Sequence, residues 1–291
     1  MNKTIGFVGT GAMGSRMIMG LLKSGHKVTV YNRNKDATKP LVKKGASLSD
    51  SIQDLVRSTD FICISVPDDR AIKDVVTQGV SIDCTGKVFI SLSTISPDTA
   101  VELSGVITDK KAYFLDAPVS GSAPQVEAAQ LIIFVGGDKT KYNDAKSIFS
   151  SISKETYYMG SAGNGSRMKL VVNTLLGLGV QALAESLTLG ERMGLSKDKL
   201  IEVLNNTVVV SPSQKIKMQS ALSDNYDVAF SLSNMYKDFG LILEQAQKTF
   251  TPMPATAASL QVDAVGMSRK IDKDFSVVIK LLEESNGKYD K

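Results

Sequence analysis

Gly9-Thr10-Gly11-Ala12-Met13-Gly14 directly follows a four-residue apolar run, Ile5-Gly6-Phe7-Val8. It opens a segment with apolar residues at helical spacing, Met13, Met17 and Leu21. A glycine triplet of this spacing is informative only where it joins a strand to a helix, and here both neighbours are present. Gly9 permits the tight turn, Gly11 lets the backbone approach a pyrophosphate, and Gly14 allows close helix–strand packing. The helix start at Ala12 and Met13 offers free N–H groups and a positive dipole end to an anion. The blander alternative is an ordinary glycine-rich turn. What disfavours it is that the motif begins a series of strand–helix units.

Further strands are predicted over 28–31, 61–66, 88–92, 112–115 and 131–135. Helices are predicted over 12–23, 36–44, 51–57 and 69–76, and from Pro97 onward. Runs this continuously apolar suit strands buried on both faces, hence a mostly parallel sheet of right-handed βαβ units. After residue 160 no strand pattern remains. One long helix is expected over 166–193, then shorter ones over 196–205, 212–223, 231–249, 254–269 and 275–285. Asp198, Ser231 and Asp274 lie at or near their starts. The expected fold is an α/β N-terminal Rossmann-type doubly wound sheet plus an all-α C-terminal domain, joined by a long interdomain helix. The domains are 1–162 for the dinucleotide and 163–291 for substrate and oligomerisation. The polar tail from Ser285 reads as frayed.

Composition prunes the functions open to this fold. The 291 residues carry 43% hydrophobic and 22% charged side chains and a net charge of +4, with no block of five like charges. Nucleic acid and membrane surfaces are therefore not expected partners. The uncharged stretch 170–184 falls short of the ~20 residues of a membrane span. Met1-Asn2-Lys3 leads straight into a strand with no signal-peptide pattern, and Cys63 and Cys84 form no metal motif. Cys63 reads as an inert buried thiol, and the compartment as reducing and cytoplasmic. The only histidine, His26, sits in a helix–strand turn and reads as structural; multi-histidine metal sites are impossible.

The end of the second strand discriminates between nicotinamide cofactors. An NAD site places Asp or Glu there to bond the ribose. This chain has Asn32, followed by Arg33 and Lys35. Cations without a competing acid suit a 2′-phosphate, so the site reads as one for NADP. A solvated turn is the alternative, and Asp36 is a reservation, since it would cap the next helix or weaken the phosphate site. Val66, Pro67 and Thr94 follow later strands, at the edge where open α/β sheets bind ligands. Thr94 either touches the cofactor or caps the following helix.

Three more clusters carry chemistry: Asp116-Ala117-Pro118-Val119-Ser120-Gly121-Ser122, the segment 163–173 ending in Asn173, and Lys237-Asp238. The first offers a hydroxyl and consecutive N–H groups to a carboxylate. In the second, Lys169 and Asn173 share one helix face. With a single histidine, an ammonium is a plausible acid for the oxygen that gains charge during hydride delivery. The alternative for Lys169 is a solvated helix-face lysine.

With IGFVGTGAMG, DAPVSGS, GNGSRMKLVVN, the Phe230–Asp238 segment and DFSVVIKLLEE in order, nearly the whole chain resembles the β-hydroxyacid dehydrogenases. These include 3-hydroxyisobutyrate dehydrogenase and glyoxylate/succinic semialdehyde reductase. The resemblance implies that Lys169 is the catalytic acid/base and that Asn173 orients substrate. It implies that Ser120 and Gly121, with Ser122 as a third contact, hold the substrate carboxylate. Thr94 and Lys237 would touch NADP, and Asp238 would be structural. Ser122 replaces a glycine frequent in the family loop, and Ala129 another before the next strand, which bears on substrate and not on reaction class. The expected partner is a small carboxylate-bearing aldehyde or hydroxy acid, bound between the domains. The rivals are an imine reductase-like enzyme and a non-catalytic dinucleotide-binding protein. Apolar surface in excess of what the helical domain buries predicts a homodimer or homotetramer.

Overall fold

The apolar runs of the first half pair side by side in one sheet. A computed structural model, describing residues 3–285, forms it from β1 (Ile5–Val8), β2 (Val28–Tyr31), β3 (Ser47–Leu48), β4 (Phe61–Ile64) and β5 (Val88–Ser91). These are followed by β6 (Tyr113–Asp116), β7 (Val119–Ser120), β8 (Leu131–Gly137) and β9 (Ser153–Gly160). The order is β3-β2-β1-β4-β5-β6-β8-β7, with β9 also on β8. Pairing is parallel through β6, while β8 runs antiparallel to β6 and β7. The reason for the continuous apolar runs is visible in the alternation. Phe61 and Cys63 join one core, and Ile62 and Ile64 join the core on the opposite face.

Helices α1 (Ala12–Lys23), α2 (Lys39–Val42), α3 (Ile52–Ser58), α4 (Asp69–Gly79) and α5 (Pro97–Asp109) alternate with the strands. The helix expected over 36–44 is a 3-10 turn at Lys35–Thr38 leading into α2. Strand β9 has no counterpart among the strands expected from sequence: Lys154 and Glu155 are exposed, and only its pairing with β8 makes it a strand. The short helices α6 (Ala123–Glu127), α7 (Lys139–Asp144) and α8 (Lys146–Ser150) are likewise additions. Ala129 holds a φ of 52°, the left-handed conformation that explains why glycine suits this place. His26 reaches Ser151 Oγ at 3.0 Å, a structural tie. Burial pushes the Cys63 thiol up to about 12, which keeps it unreactive.

The second compact unit begins within α9 (Asn164–Arg192), between Lys169 and Leu170, seven residues beyond the sequence boundary. The first turn of α9 belongs to the sheet unit because Ser166 N–H donates to Asp116 at 2.7 Å. Gly165 there backs directly onto the carbonyls of Phe134 and Asp116, leaving no room for a Cβ. The second unit continues with α10 (Lys197–Asn205), α11 (Pro212–Leu222), α12 (Leu232–Lys248), α13 (Pro254–Ser268) and α14 (Val278–Ser285). Among the described residues α9 is long and apolar enough to cross a membrane. Its Val180, Leu183, Ala184 and Leu187 instead pack with Ile201, Met218 and Phe239 in the core of this unit. The polar tail after Ser285 lies outside the described residues.

One buried group in this unit sets a pH dependence. Asp263 on α13 is buried, and its Oδ2 has no hydrogen-bond partner among the described residues. Burial pushes its carboxyl up to about 7. The folded state therefore holds a proton that the unfolded chain releases near pH 4, so stability falls as pH rises from about 4 to about 7. Asp263→Asn is expected to flatten this slope. The most it can recover is about 4 kcal/mol, the free energy separating a carboxyl that titrates near 4 from one that titrates near 7. Urea midpoints of both proteins at pH 5 and pH 8 check it; equal slopes would show that the carboxylate is solvated.

Candidate active site

The glycine turn of the first unit is built as its spacing requires. Gly9 has φ 96°, and a Cβ there would strike the carbonyl of Ser65. A Cβ on Gly14 would strike the carbonyl of Gly9, so helix and strand meet without a side chain between them. Over Gly11 there is open space, and no side chain caps α1. Ala12 and Met13 form the first turn of α1, whose leading N–H groups have no side-chain cap. Thr10 Oγ1 is buried without a partner among the described residues. Open space, uncapped donors and an orphaned hydroxyl together fit the pyrophosphate of a dinucleotide.

At the end of β2, Asn32 Oδ1 accepts from Thr10 N–H at 3.3 Å and so braces the glycine turn. Arg33 is exposed beside it. Lys35 lies on Asp50, Nζ to Oδ1 at 2.7 Å, so among the described residues Arg33 is the one of the two expected cations not paired with a carboxylate. Asp36 pairs with Lys39 at 2.6 Å, and Asn34, not Asp36, caps the following turn. Farther along the edge, Val66 N–H donates to Ser93 Oγ at 2.8 Å, and Pro67 stands exposed beside it. Ser96, not Thr94, caps α5, accepting from Thr99 N–H at 3.1 Å. That outcome removes capping as the reason for Thr94.

After β6 the chain passes through β7 and turns at Gly121, whose φ of 129° suits glycine and whose Cα faces Leu131 and Gln125. Ser120 ends β7 as a half-buried hydroxyl. Ser122 is engaged: its hydroxyl donates to Gln125 Oε1 at 2.7 Å in the capping box of α6. Asp116, at the root of this loop, is fully buried. Burial raises its carboxyl to about 6, opposed by N–H groups of Ser166 and Gly163. Sequence reasoning passed over Asp116 as a functional anchor, though it sets the first turn of the helix that carries Lys169.

Lys169 is 6% exposed and stands one helical turn before Asn173, which is 0% exposed. A simple solvated lysine is thereby excluded. In the second unit, Asn173 Nδ2 donates to Asp238 Oδ2 at 2.5 Å, and Lys237 Nζ lies 3.1 Å from Asp238 Oδ1. Asp238 thus orients the amide and leaves Asn173 Oδ1 as a buried acceptor without a partner among the described residues. Gly177, a turn farther on, lets the Phe239 ring pack directly on the α9 backbone. Among the described residues no cluster of His, Cys, Asp or Glu suits a metal ion.

Residues 4–160 match the family model for the NAD-binding domain of 6-phosphogluconate dehydrogenase. Residues 163–282 match the one described as NAD-binding of NADP-dependent 3-hydroxyisobutyrate dehydrogenase. The chain is 35% identical to glyoxylate/succinic semialdehyde reductase 1 of Arabidopsis thaliana, over 97% of this chain and 99% of that protein. It is 32% identical to the cytokine-like nuclear factor N-PAC of Drosophila melanogaster, over 89% of this chain but only 44% of that one. The Mycobacterium tuberculosis 3-hydroxyisobutyrate dehydrogenase, solved with L-serine, superposes with a TM-score of 0.88 at 27% identity, covering 97% of this chain and 99% of that one. Glycine turn, parallel sheet, long helix and full-length relatives agree, and the chain belongs to the β-hydroxyacid dehydrogenase family of nicotinamide-dependent oxidoreductases.

Proposed function

We propose that this chain is an NADP(H)-dependent enzyme interconverting a small 3-hydroxy (or 2-hydroxy) carboxylate and its semialdehyde or oxo-acid. The observation that carries this reading is Lys169, a buried amine one turn from a buried, oriented asparagine in a chain with one histidine. When bound, the reduced nicotinamide supplies the hydride. Lys169 donates a proton to the carbonyl oxygen as charge builds there, and its ammonium stabilises that charge beforehand. Asn173 orients the same oxygen, and its unpartnered Oδ1 accepts from the hydroxyl of the product. Ser120 and the backbone at Gly121 hold the carboxylate, with Ser122 held back by its cap. Thr94 and Lys237 contact the cofactor.

Arg33 is the residue proposed to select NADP. Its guanidinium is expected to clamp the 2′-phosphate, while Lys35 is drawn to Asp50. Arg33→Ala should cut the preference for NADPH over NADH about 10- to 100-fold, the loss of a charged hydrogen-bonded pair. The deciding experiment follows oxidation of NADPH and NADH by wild type and Arg33→Ala. It uses glyoxylate, succinic semialdehyde, tartronate semialdehyde and methylmalonate semialdehyde. Turnover of none of them, with NADPH bound, would support the second reading, a dinucleotide-binding protein without catalysis; what favours that reading is that the N-PAC relative is named as a nuclear factor and not as an enzyme. We also propose a homo-oligomer, supported by the exposed Val171, Leu175, Leu189 and Met193 along α9, and a cytoplasmic location for it.

A further inference from the structure

We infer that Asp69 is a positioning residue for the nicotinamide half of the cofactor, clipping the loop after β4 to the loop after β5; this rests on the cofactor reading above. The two strands are parallel neighbours, with Ile64 opposite Ser91, so their following loops leave the same sheet edge side by side. Asp69 reaches from the first turn of α4 across to the second loop. Its Oδ1 accepts Ser96 N–H at 3.0 Å. Its Oδ2 accepts Ser96 Oγ at 2.6 Å and Thr99 Oγ1 at 2.7 Å. Neither helix needs this for its own cap: Asp68 caps α4 through Ala71 N–H at 2.8 Å, and Ser96 caps α5. What Asp69 adds is a bond between the loops.

A second clip lies nearer the glycine turn. Ser93 Oγ takes the N–H of Val66, and the carbonyl of Ser65 lies directly against Gly9. Thr94 therefore sits between two fixed points, Ser93 bound to Val66 and Ser96 bound to Asp69. Loops at a sheet edge are mobile unless tied, and a ligand that must order them loses affinity by that cost. The adenine half is held elsewhere, at the end of β2, so loss of the clips should be felt at one end of the cofactor only.

The test titrates NADPH and 2′,5′-ADP, which lacks the nicotinamide half, into wild type, Asp69→Ala, Asp69→Asn and Ser93→Ala. If wild type prefers NADH, the pair is NADH and 5′-ADP. Asp69→Ala should raise the Kd for NADPH about tenfold and leave that for 2′,5′-ADP unchanged. Asp69→Asn keeps an acceptor for Ser96 N–H and should fall between; it carries the test if the alanine variant does not fold. Ser93→Ala should shift the same ligand in the same direction. In turnover, KM for NADPH should rise more than KM for the aldehyde acid. Equal weakening of both ligands, or no weakening of either, would overturn the role of Asp69. If wild type reduces no aldehyde acid, the functional reading fails, and the NADPH titration still decides the role of Asp69.

Discussion

Lys169→Ala is expected to lower kcat for aldehyde reduction by about 10²- to 10⁴-fold, the usual contribution of a positioned proton donor. Folding should survive, because the substitution removes a charge from a 6% exposed site and leaves the alanine a good helix former. Affinity for NADPH should be kept, since the glycine turn and the end of β2 are untouched. Lys169→Arg separates charge from proton transfer. A guanidinium keeps the positive charge but does not release a proton near neutrality, so binding of the aldehyde acid should recover while kcat stays low. Added small primary amines should restore part of the rate in Lys169→Ala and none in wild type. The measurements are single-turnover NADPH oxidation, NADPH titration and a thermal melt. A folded Lys169→Ala protein turning over at the wild-type rate would remove the lysine from the reaction.

The largest expected effect on stability lies away from the chemistry, at Asp274. This carboxylate accepts from Lys217 Nζ at 2.8 Å, Ser276 Oγ at 2.7 Å, and the N–H groups of Ser276, Phe230 and Ala229 at 3.0, 3.0 and 3.2 Å. The Lys217 and Asp274 side chains are only 10% and 2% exposed. Burial alone would raise the Asp274 carboxyl; the Lys217 ammonium and the other donors outweigh it and hold it below the usual range. Its contribution is present above the ordinary carboxylate pKa and is lost only as pH falls below that range, the opposite sense to Asp263. Asp274→Ala should destabilise the protein by about 3–5 kcal/mol, because it leaves a buried ammonium and several N–H groups without an acceptor. Lys217→Met should cost less, since the carboxylate keeps its other donors and the thioether chain fills similar space. Urea unfolding of both variants checks the order; equal costs would mean that the backbone donors contribute little.

These two residues are not equally legible from sequence. Lys169 is visible because its neighbours carry information: Asn173 one turn on, glycines before it, and a lone histidine that leaves few other acids. Asp274 reads only as a residue near a helix start, which it is, capping the turn Phe275–Val277. That Lys217, 57 residues earlier, ends on it has no local signature. The same holds for Asp69, which looks like a first-turn acid on α4 and is a bond to Ser96. The capping box at Ser122 is within reach, since Ser-x-x-Gln before a helix is a recognisable pattern, and it explains why that hydroxyl faces Gln125. Lys35 reads as a phosphate ligand because Asp50 lies 15 residues away and only β3 beside β2 brings it near.

Local and periodic properties settled the larger plan. Apolar runs buried on two faces require a sheet covered on both sides, glycines at 9, 11 and 14 require a strand–helix turn, and a 3.6-residue period after 160 requires helices. Such features depend on neighbours a few residues apart, so a linear reading captures them. Tertiary structure alone decided β9, the antiparallel placement of β8, the partner of each charge it pairs, and which hydroxyl caps α5. These depend on groups tens of residues apart meeting at hydrogen-bond distance, and a polar side chain carries no mark in the sequence of the donor it will meet.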